Sequence, residues 1–312
     1  MTDSLQKFIT ESGHVRGELV ELRASWQQVL ARRSYPLPVQ QLLGQMLAAA
    51  ALLSANLKFN GALVMQIHGD GPLQLLVVEC DAALQLRATA KLAPNAVIDT
   101  GASLQQLVNR HGSGRFAITL DPLDKLPGQQ PYQGIVPLDG DSIAAVIESY
   151  MLRSEQLETQ LWLAADSQVA RGMLLQRLPS HGGNGSTDTD DKERNHEDWQ
   201  RLRALGATLQ APELLATDNA TLLHRLFWEE TMRVFEPLQP AFHCSCTRDK
   251  VGNMLRLLGQ AEVDDALQQL GQLSIDCDFC GQHYAFDKVD CAQLFATSAP
   301  TEALLPPGPA QH

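Results

Sequence analysis

HCSCTRDKVGNMLRLLG (His243–Gly259) and DCDFCGQHYAFD (Asp276–Asp287) hold four of the chain's six cysteines, and their spacing decides how the C-terminal part must fold. The pattern is Cys244-x-Cys246, a 30-residue gap (247–276), then Cys277-x-x-Cys280. Two close pairs that must meet in space predict a Cys₄ zinc site, because tetrahedral Zn²⁺ takes thiolates at about 2.3 Å. That geometry sets neighbouring sulfurs about 3.8 Å apart, against about 2.05 Å in a disulfide. Each pair can therefore exchange metal for a local bond, Cys244 with Cys246 and Cys277 with Cys280, with small backbone adjustment. Gly281 supplies the positive φ that a tight knuckle turn needs. Extended i and i+2 Cα atoms lie about 6.6 Å apart, so an oxidised Cys-x-Cys must bend and stores strain, the mark of labile, regulatory disulfides.

Four thiolates complete the tetrahedron with one zinc per chain, so His243 and His283 are read as outer neighbours or exposed groups. Cys80 ends an apolar strand and reads as a buried small hydrophobe. Cys291 lies outside the motif and reads as incidental. Two other readings of the cysteines stay open. A structural zinc ribbon touching RNA is opposed by residues 241–296, where eight acids face four bases. A thioredoxin-like Cys277-x-x-Cys280 would open a helix after a strand, whereas this stretch looks like a turn between two short strands.

Composition narrows the function further. Of 312 residues, 44% are hydrophobic, enough for a sizeable core, while aromatics at 5% leave the packing to Leu, Ala, Val and Ile. Lys and Arg number 24 against 36 acids, a net charge of −12. Such a chain repels phosphate backbones and anionic membranes, so neither nucleic acid nor membrane is expected as a partner. MTDSLQKFIT has no basic segment followed by an apolar one. Cysteines without an export signal argue for metal or redox use in the cytoplasm. The apolar run Leu42–Leu57 is too short and too interrupted to span a bilayer.

Along the chain, residues 1–178 predict an α+β domain of antiparallel sheets with packed helices. Strands are expected at His14–Leu22, Ala62–His68, Leu73–Glu79, Ala83–Lys91, Arg115–Leu120, Gly134–Leu138, Gln160–Ala164 and Val169–Leu178. Helices are expected at Ser25–Arg33, from just after Tyr35-Pro36-Leu37-Pro38 to about Leu57, and from an Asp141-Ser142 cap to roughly Ser154. Gly69-Asp70-Gly71-Pro72 reads as a hairpin turn, since no Gly-Lys-Ser/Thr follows to make a phosphate loop. Residues 179–236 form a flexible joint (His181–Asp190) and a helical linker (about Glu193–Glu236). In the linker, Asp218 is an N-cap, and Leu222, Leu223, Leu226 and Phe227 form an apolar stripe beside Trp228 and Phe235. That face must be buried against something. Residues 237–296 form a small Cys₄ zinc-binding domain whose apolar side chains include Leu255, Leu257, Leu258, Leu270, Phe279, Tyr284 and Phe286. The tail, 297–312, is Pro/Ala-rich and expected to be disordered.

The zinc-site segments resemble the family of redox-regulated thirty-three-kilodalton heat-shock chaperones. So do GHVRGELVEL (Gly13–Leu22), LLSANLKFNG (Leu52–Gly61), HGDGPL (His68–Leu73), SYMLRSEQL (Ser149–Leu157) and GMLLQRLP (Gly172–Pro179), all in the family's order. The resemblance spans almost the whole chain. It implies a cytoplasmic holdase, zinc-bound and inactive when reduced, which on oxidation loses zinc, unfolds its C-terminal part, binds unfolding client proteins and forms a homodimer. No nucleotide site and no catalytic Ser/His/Asp set emerges, so neither nucleotide use nor enzymatic turnover is expected.

Overall fold

The computed structural model describes residues 2–56, 60–124, 131–179 and 189–296. The expected joint up to residue 188 and the expected tail lie outside them. In chain order the first elements are β1 (Ser4–Thr10), β2 (Val15–Leu22), α1 (Ala24–Leu30), α2 (Leu37–Ser54), β3 (Gly61–His68), β4 (Leu73–Asp81) and β5 (Gln85–Leu92). Then come α3 (Leu104–Val108), β6 (Arg115–Pro122), β7 (Tyr132–Pro137), α4 (Ile143–Ser154), β8 (Thr159–Ala165) and β9 (Ala170–Arg177). They are followed by α5 (Thr189–Gly206), α6 (Ala211–Ala216), α7 (Asn219–Phe227), β10 (Met232–Val234) and β11 (Ala241–Phe242). The last are α8 (Arg248–Leu258), α9 (Gln260–Leu270), β12 (Leu273–Asp276), β13 (His283–Phe286) and α10 (Lys288–Ala296). The chain divides into two compact units, Met1–Cys244 and Ser245–His312.

The first unit is built around α2. Its side chains are apolar nearly all round, and from Val39 to Leu52 most are fully buried. A helix of this character must be covered on every side. One cover is a five-stranded sheet in the order β10-β1-β2-β9-β8; the other is a six-stranded sheet, β11-β5-β4-β3-β6-β7. Both contribute to one core with α2: Val20, Leu22 and Leu174 from the first, Leu63, Met65, Val78 and Ile118 from the second. The run Ala48–Ala51 keeps the helix slim enough for strands to approach on both sides. This buried position accounts for an apolar segment long enough, by composition, to cross a membrane.

The five-stranded sheet is covered on its other face too. Strand residues alternate between faces. In β2, Val20 and Leu22 point toward α2, while Val15 and Leu19 belong to a second cluster with Phe8, Met173 and Leu175. Against these pack Trp199 and Leu202 of α5, Leu214 of α6, and Leu222, Leu226 and Phe227 of α7.

The meander β3-β4-β5 pairs as expected, Met65 opposite Val78 and Val78 opposite Ala88. Its first turn is a hairpin, closed by Gly69 N–H donating to Gln74 O at 2.9 Å. Several expected boundaries move. β1 has no counterpart among the expected strands, and it pairs with β2 from Ser4–Glu21 to Ile9–Arg16. β5 starts at Gln85 rather than Ala83, because Leu84 takes φ 58° in the turn, where the Asp81 carboxylate accepts from Ala83 N and Gln85 N. The linker is three helices ending at Phe227, not a helical stretch to Glu236. Residues 232–234 instead extend the first sheet, Phe8 opposite Val234. Leu238 exchanges two backbone hydrogen bonds with Leu5 (2.8 and 2.9 Å), and β11 runs parallel to β5. These bonds draw residues 237–244 into the first unit, past the expected boundary at 237.

The second unit has a small core of Leu255, Val263, Leu267, Leu273, Phe286 and Cys291. Leu257, Leu258 and Leu270, counted among the domain's apolar side chains, are exposed, because they fall on the outer faces of α8 and α9. Arg248 ties three elements together. Its guanidinium lies 4.2 Å over the Phe286 ring, pairs with Asp290 at 2.8 Å and donates to Ala285 O at 2.7 Å.

Candidate metal centre

Cys277 and Cys280 sit in the turn between β12 and β13, an antiparallel pair running from Leu273–Phe286 to Asp276–His283. The turn closes through Gly281 N–H donating to Cys277 O (2.8 Å) and Cys277 N–H donating to Gln282 O (2.9 Å). Gly281 takes φ 70°, a conformation that would strain a side-chain-bearing residue. Cys244 and Cys246 follow β11. His243 N–H donates to Leu86 O at 3.0 Å, which fixes the chain one residue before Cys244. Thr247 caps α8 through its hydroxyl, which accepts from Lys250 N, so Cys246 stands beside the positive end of that helix.

The four sulfurs all lie within 4.8 Å of one another, each half-buried. Cys246 Sγ and Cys280 Sγ are 3.3 Å apart. The donors are all soft thiols, the separations bracket the tetrahedral value of about 3.8 Å, and no carboxylate belongs to the group. The residues therefore fit a four-coordinate thiolate metal. His243 and His283 are exposed. His283 Nδ1 is held by Asp276 Oδ1 at 2.7 Å.

Two side chains reach the sulfurs. Tyr284 Oη donates to Cys246 Sγ at 3.2 Å; this bond, with the desolvation and the charge of the cysteines, pushes the phenol up to about 12. Arg87 Nη1 donates to Cys244 Sγ at 3.5 Å. Burial pulls the Arg87 guanidinium down, but Glu79 and Cys244 outweigh it and hold it above its usual value. Arg87 gives no signal in the sequence, being distant from the motif, and Tyr284 reads there only as an apolar side chain of the small domain.

The remaining cysteines behave differently. Burial pushes the Cys80 thiol up to about 12, which leaves it inert. Cys291 is a core residue of the second unit rather than an incidental one, and its thiol is raised by burial and by Asp290, Asp264 and Asp287.

The linker stripe is buried. Leu222 and Leu226 are 0% and 7% exposed, Leu223 is half-buried against the same cluster, and the Phe227 ring meets Phe8 at 5.8 Å. Trp228 and Phe235 are exposed instead, 68% and 41%. Phe8 has room because its strand partner is Gly17; a Cβ there would stand 2.2 Å from Phe8 Cζ. Polar groups add to the docking. Buried Arg171 donates to Thr217 O and to Asn219 Oδ1. His14 Nδ1 lies 2.8 Å from Asp198 and Nε2 lies 3.2 Å from Asp191, both on α5. Asp218 caps α7 by accepting from Thr221 N at 2.9 Å.

Comparison with known proteins bears on this arrangement. A family model described as Hsp33 protein matches residues 3–287. A 33 kDa chaperonin of Chromobacterium violaceum is 48% identical over 293 residues, 94% of each chain. That of Methylobacillus flagellatus is 44% identical over 313 residues, 100% of this chain and 99% of its own. The crystal structure of the 33 kDa chaperonin (heat shock protein 33 homolog) from Thermotoga maritima superposes with a TM-score of 0.75 at 21% identity, covering 94% of this chain and 98% of its own. That similarity is one of fold.

Proposed function

The chain belongs to the Hsp33 protein family and is a chaperone, and from that premise we propose that its four cysteines are a redox switch on holdase activity. The observation that carries this reading is the convergence of Cys244, Cys246, Cys277 and Cys280 to within 4.8 Å, as two pairs of sequence neighbours. In the reduced protein these residues would hold one Zn²⁺ per chain. Bound there, the metal would keep all four sulfurs as thiolates and supply about 10–16 kcal/mol of folding energy. The second unit needs that energy, for among the described residues its core has six buried side chains.

Thiolates are the form that oxidants attack. One sulfur takes an oxygen from a peroxide to become a sulfenic acid, and the neighbouring thiol displaces that oxygen as water, closing a disulfide. Two electrons pass from the pair to the peroxide. Sulfurs joined in a disulfide no longer serve as ligands, so oxidising one pair would halve the donor set that holds a metal. The pairs that form are Cys244–Cys246 and Cys277–Cys280, since cross-pairing through the 3.3 Å Cys246–Cys280 approach requires the folded template that is lost. The second unit unfolds, and α5–α7 leave the sheet they cover. Both the stripe of Leu222, Leu226 and Phe227 and the strand residues beneath it are then exposed, an apolar surface suited to unfolding proteins and to a second copy of the chain. The surrounding acids keep the exposed form soluble. The activity needs no nucleotide, involves no turnover and acts in the cytoplasm.

The test compares suppression of aggregation of a thermally unfolding protein by two forms, reduced with zinc and oxidised without metal. The oxidised form is expected to suppress and the reduced form not. Equal activity of the two forms would refute the switch, and peptide mapping that found mainly Cys246–Cys280 links would refute the pairing.

A further inference from the structure

We propose that Arg87 is a positioning residue for the metal centre, holding Cys244 in the geometry that metal binding requires. The inference rests on reading the four cysteines as that centre. Arg87 lies on β5, one residue past the point where β11 pairs with Leu86. Its Nη1 donates to Cys244 Sγ at 3.5 Å, an ordinary length for a bond to sulfur. The other side of the same guanidinium is clamped by Glu79 of β4, with Nε–Oε2 at 2.8 Å and Nη2–Oε2 at 2.6 Å. One guanidinium thus reaches Glu79 on one side and the sulfur on the other, and the bond to Cys244 is made by Arg87 itself.

The need for such a residue follows from the backbone around Cys244. A Cys-x-Cys segment has no turn of its own to aim its first sulfur, unlike Cys277-x-x-Cys280, which has the β12–β13 hairpin and Gly281. The last backbone bond before Cys244 is made by His243, and the Arg87 guanidinium then meets the Cys244 sulfur. A cationic donor on the sulfur selects one rotamer and offsets part of the negative charge that four thiolates gather at one point. Residues that orient metal ligands in this way change affinity about 10- to 100-fold when removed.

The test is zinc affinity of the full-length reduced protein, measured by chelator competition, for the parent, Arg87→Met and Glu79→Gln. Arg87→Met keeps an unbranched apolar stem and loses the donor; it should bind zinc at least tenfold more weakly. Glu79→Gln breaks the ion pair within the sheet but leaves the guanidinium on the sulfur, and should stay within about threefold of the parent. Unchanged affinity in Arg87→Met overturns the proposal. So does an equal loss in both variants, which would make Arg87 a contributor to the sheet only. Should Arg87→Met fail to fold, Arg87→Gln, a shorter neutral donor, decides instead: a loss of at least threefold supports the role and parental affinity refutes it. A parent that binds no zinc would sink the reading of the centre itself, an outcome distinct from the failure of Arg87 alone.

Discussion

Leu226→Glu tests whether the linker is the restraint on activity. Leu226 is 7% exposed and packs in the cluster that joins α7 to β1, β2 and β9. Truncating a buried leucine costs about 2–5 kcal/mol, and leaving a carboxylate unpaired in the same place adds several more. Together these reach about 5 kcal/mol or above, close to the roughly 5.5 kcal/mol that moves a two-state equilibrium from 1:99 to 99:1. The helix has a cheaper response than burying the charge, which is to leave the sheet. The variant should therefore suppress aggregation of an unfolding protein while reduced and still holding its zinc. Trp228→Glu, at a position 68% exposed, serves as the control and should stay inactive. Zinc content is measured on the same samples. If Leu226→Glu remains inactive when reduced, with zinc in place, the linker is not the latch and control lies elsewhere.

Gly17→Val reaches the same docking surface from below: its Cβ must displace the Phe8 ring, which it would meet at 2.2 Å, and Phe8 supports Phe227. Activity in the reduced state is expected to rise, and an unchanged reduced protein would show that Phe8 is not part of the restraint. Cys277→Ser should lower zinc affinity by orders of magnitude, whereas Cys80→Ser should leave it intact. Cys291→Ser should retain the site but destabilise the second unit by about 1–3 kcal/mol, because a hydroxyl replaces a thiol in its core; chelator competition and thermal unfolding separate the two effects. Docking of α5 should also weaken in acid. Against a desolvation that raises it, Asp198 is held below 3.8 by bonds from His14, Arg201 and Ser12. A depressed carboxylate stabilises the fold above its unfolded value, and that contribution is lost as pH falls below about 3.8. Melting curves between pH 5 and 3 should show a smaller drop for Asp198→Asn than for the parent.

Much of the first sheet's second face was legible only in part. The linker stripe at Leu222, Leu226 and Phe227 announced a buried face through its helical spacing, and the structure buries it. Nothing in that spacing identified the partner as the outer face of β1, β2 and β9, because a sheet covered on both sides shows little of the alternation that marks a half-exposed strand. β1 is hidden in the sequence for a related reason. SLQKFIT interleaves polar and apolar residues irregularly, and its strand character comes from the neighbours on either side, β2 and β10. β10 is three residues long, too short for any periodicity.

The cysteine ligand set is a different case. Metal coordination constrains residue type and spacing so tightly that four thiols in two close pairs predict a convergent centre before any fold is known. Hydrophobic runs are nearly as informative about α2, whose uniform apolar character demands cover on all sides. Position in space is what such local patterns lack. That Arg87 meets Cys244, 157 residues away, that His14 lies between two aspartates of the linker, and that Cys291 rather than Leu257 fills the core of the second unit all depend on how separate elements are brought together. A side chain's type and its near neighbours carry the chemistry of a ligand or the face of a helix, whereas a contact between distant segments is created only when the sheets close over α2 and the strands take their register.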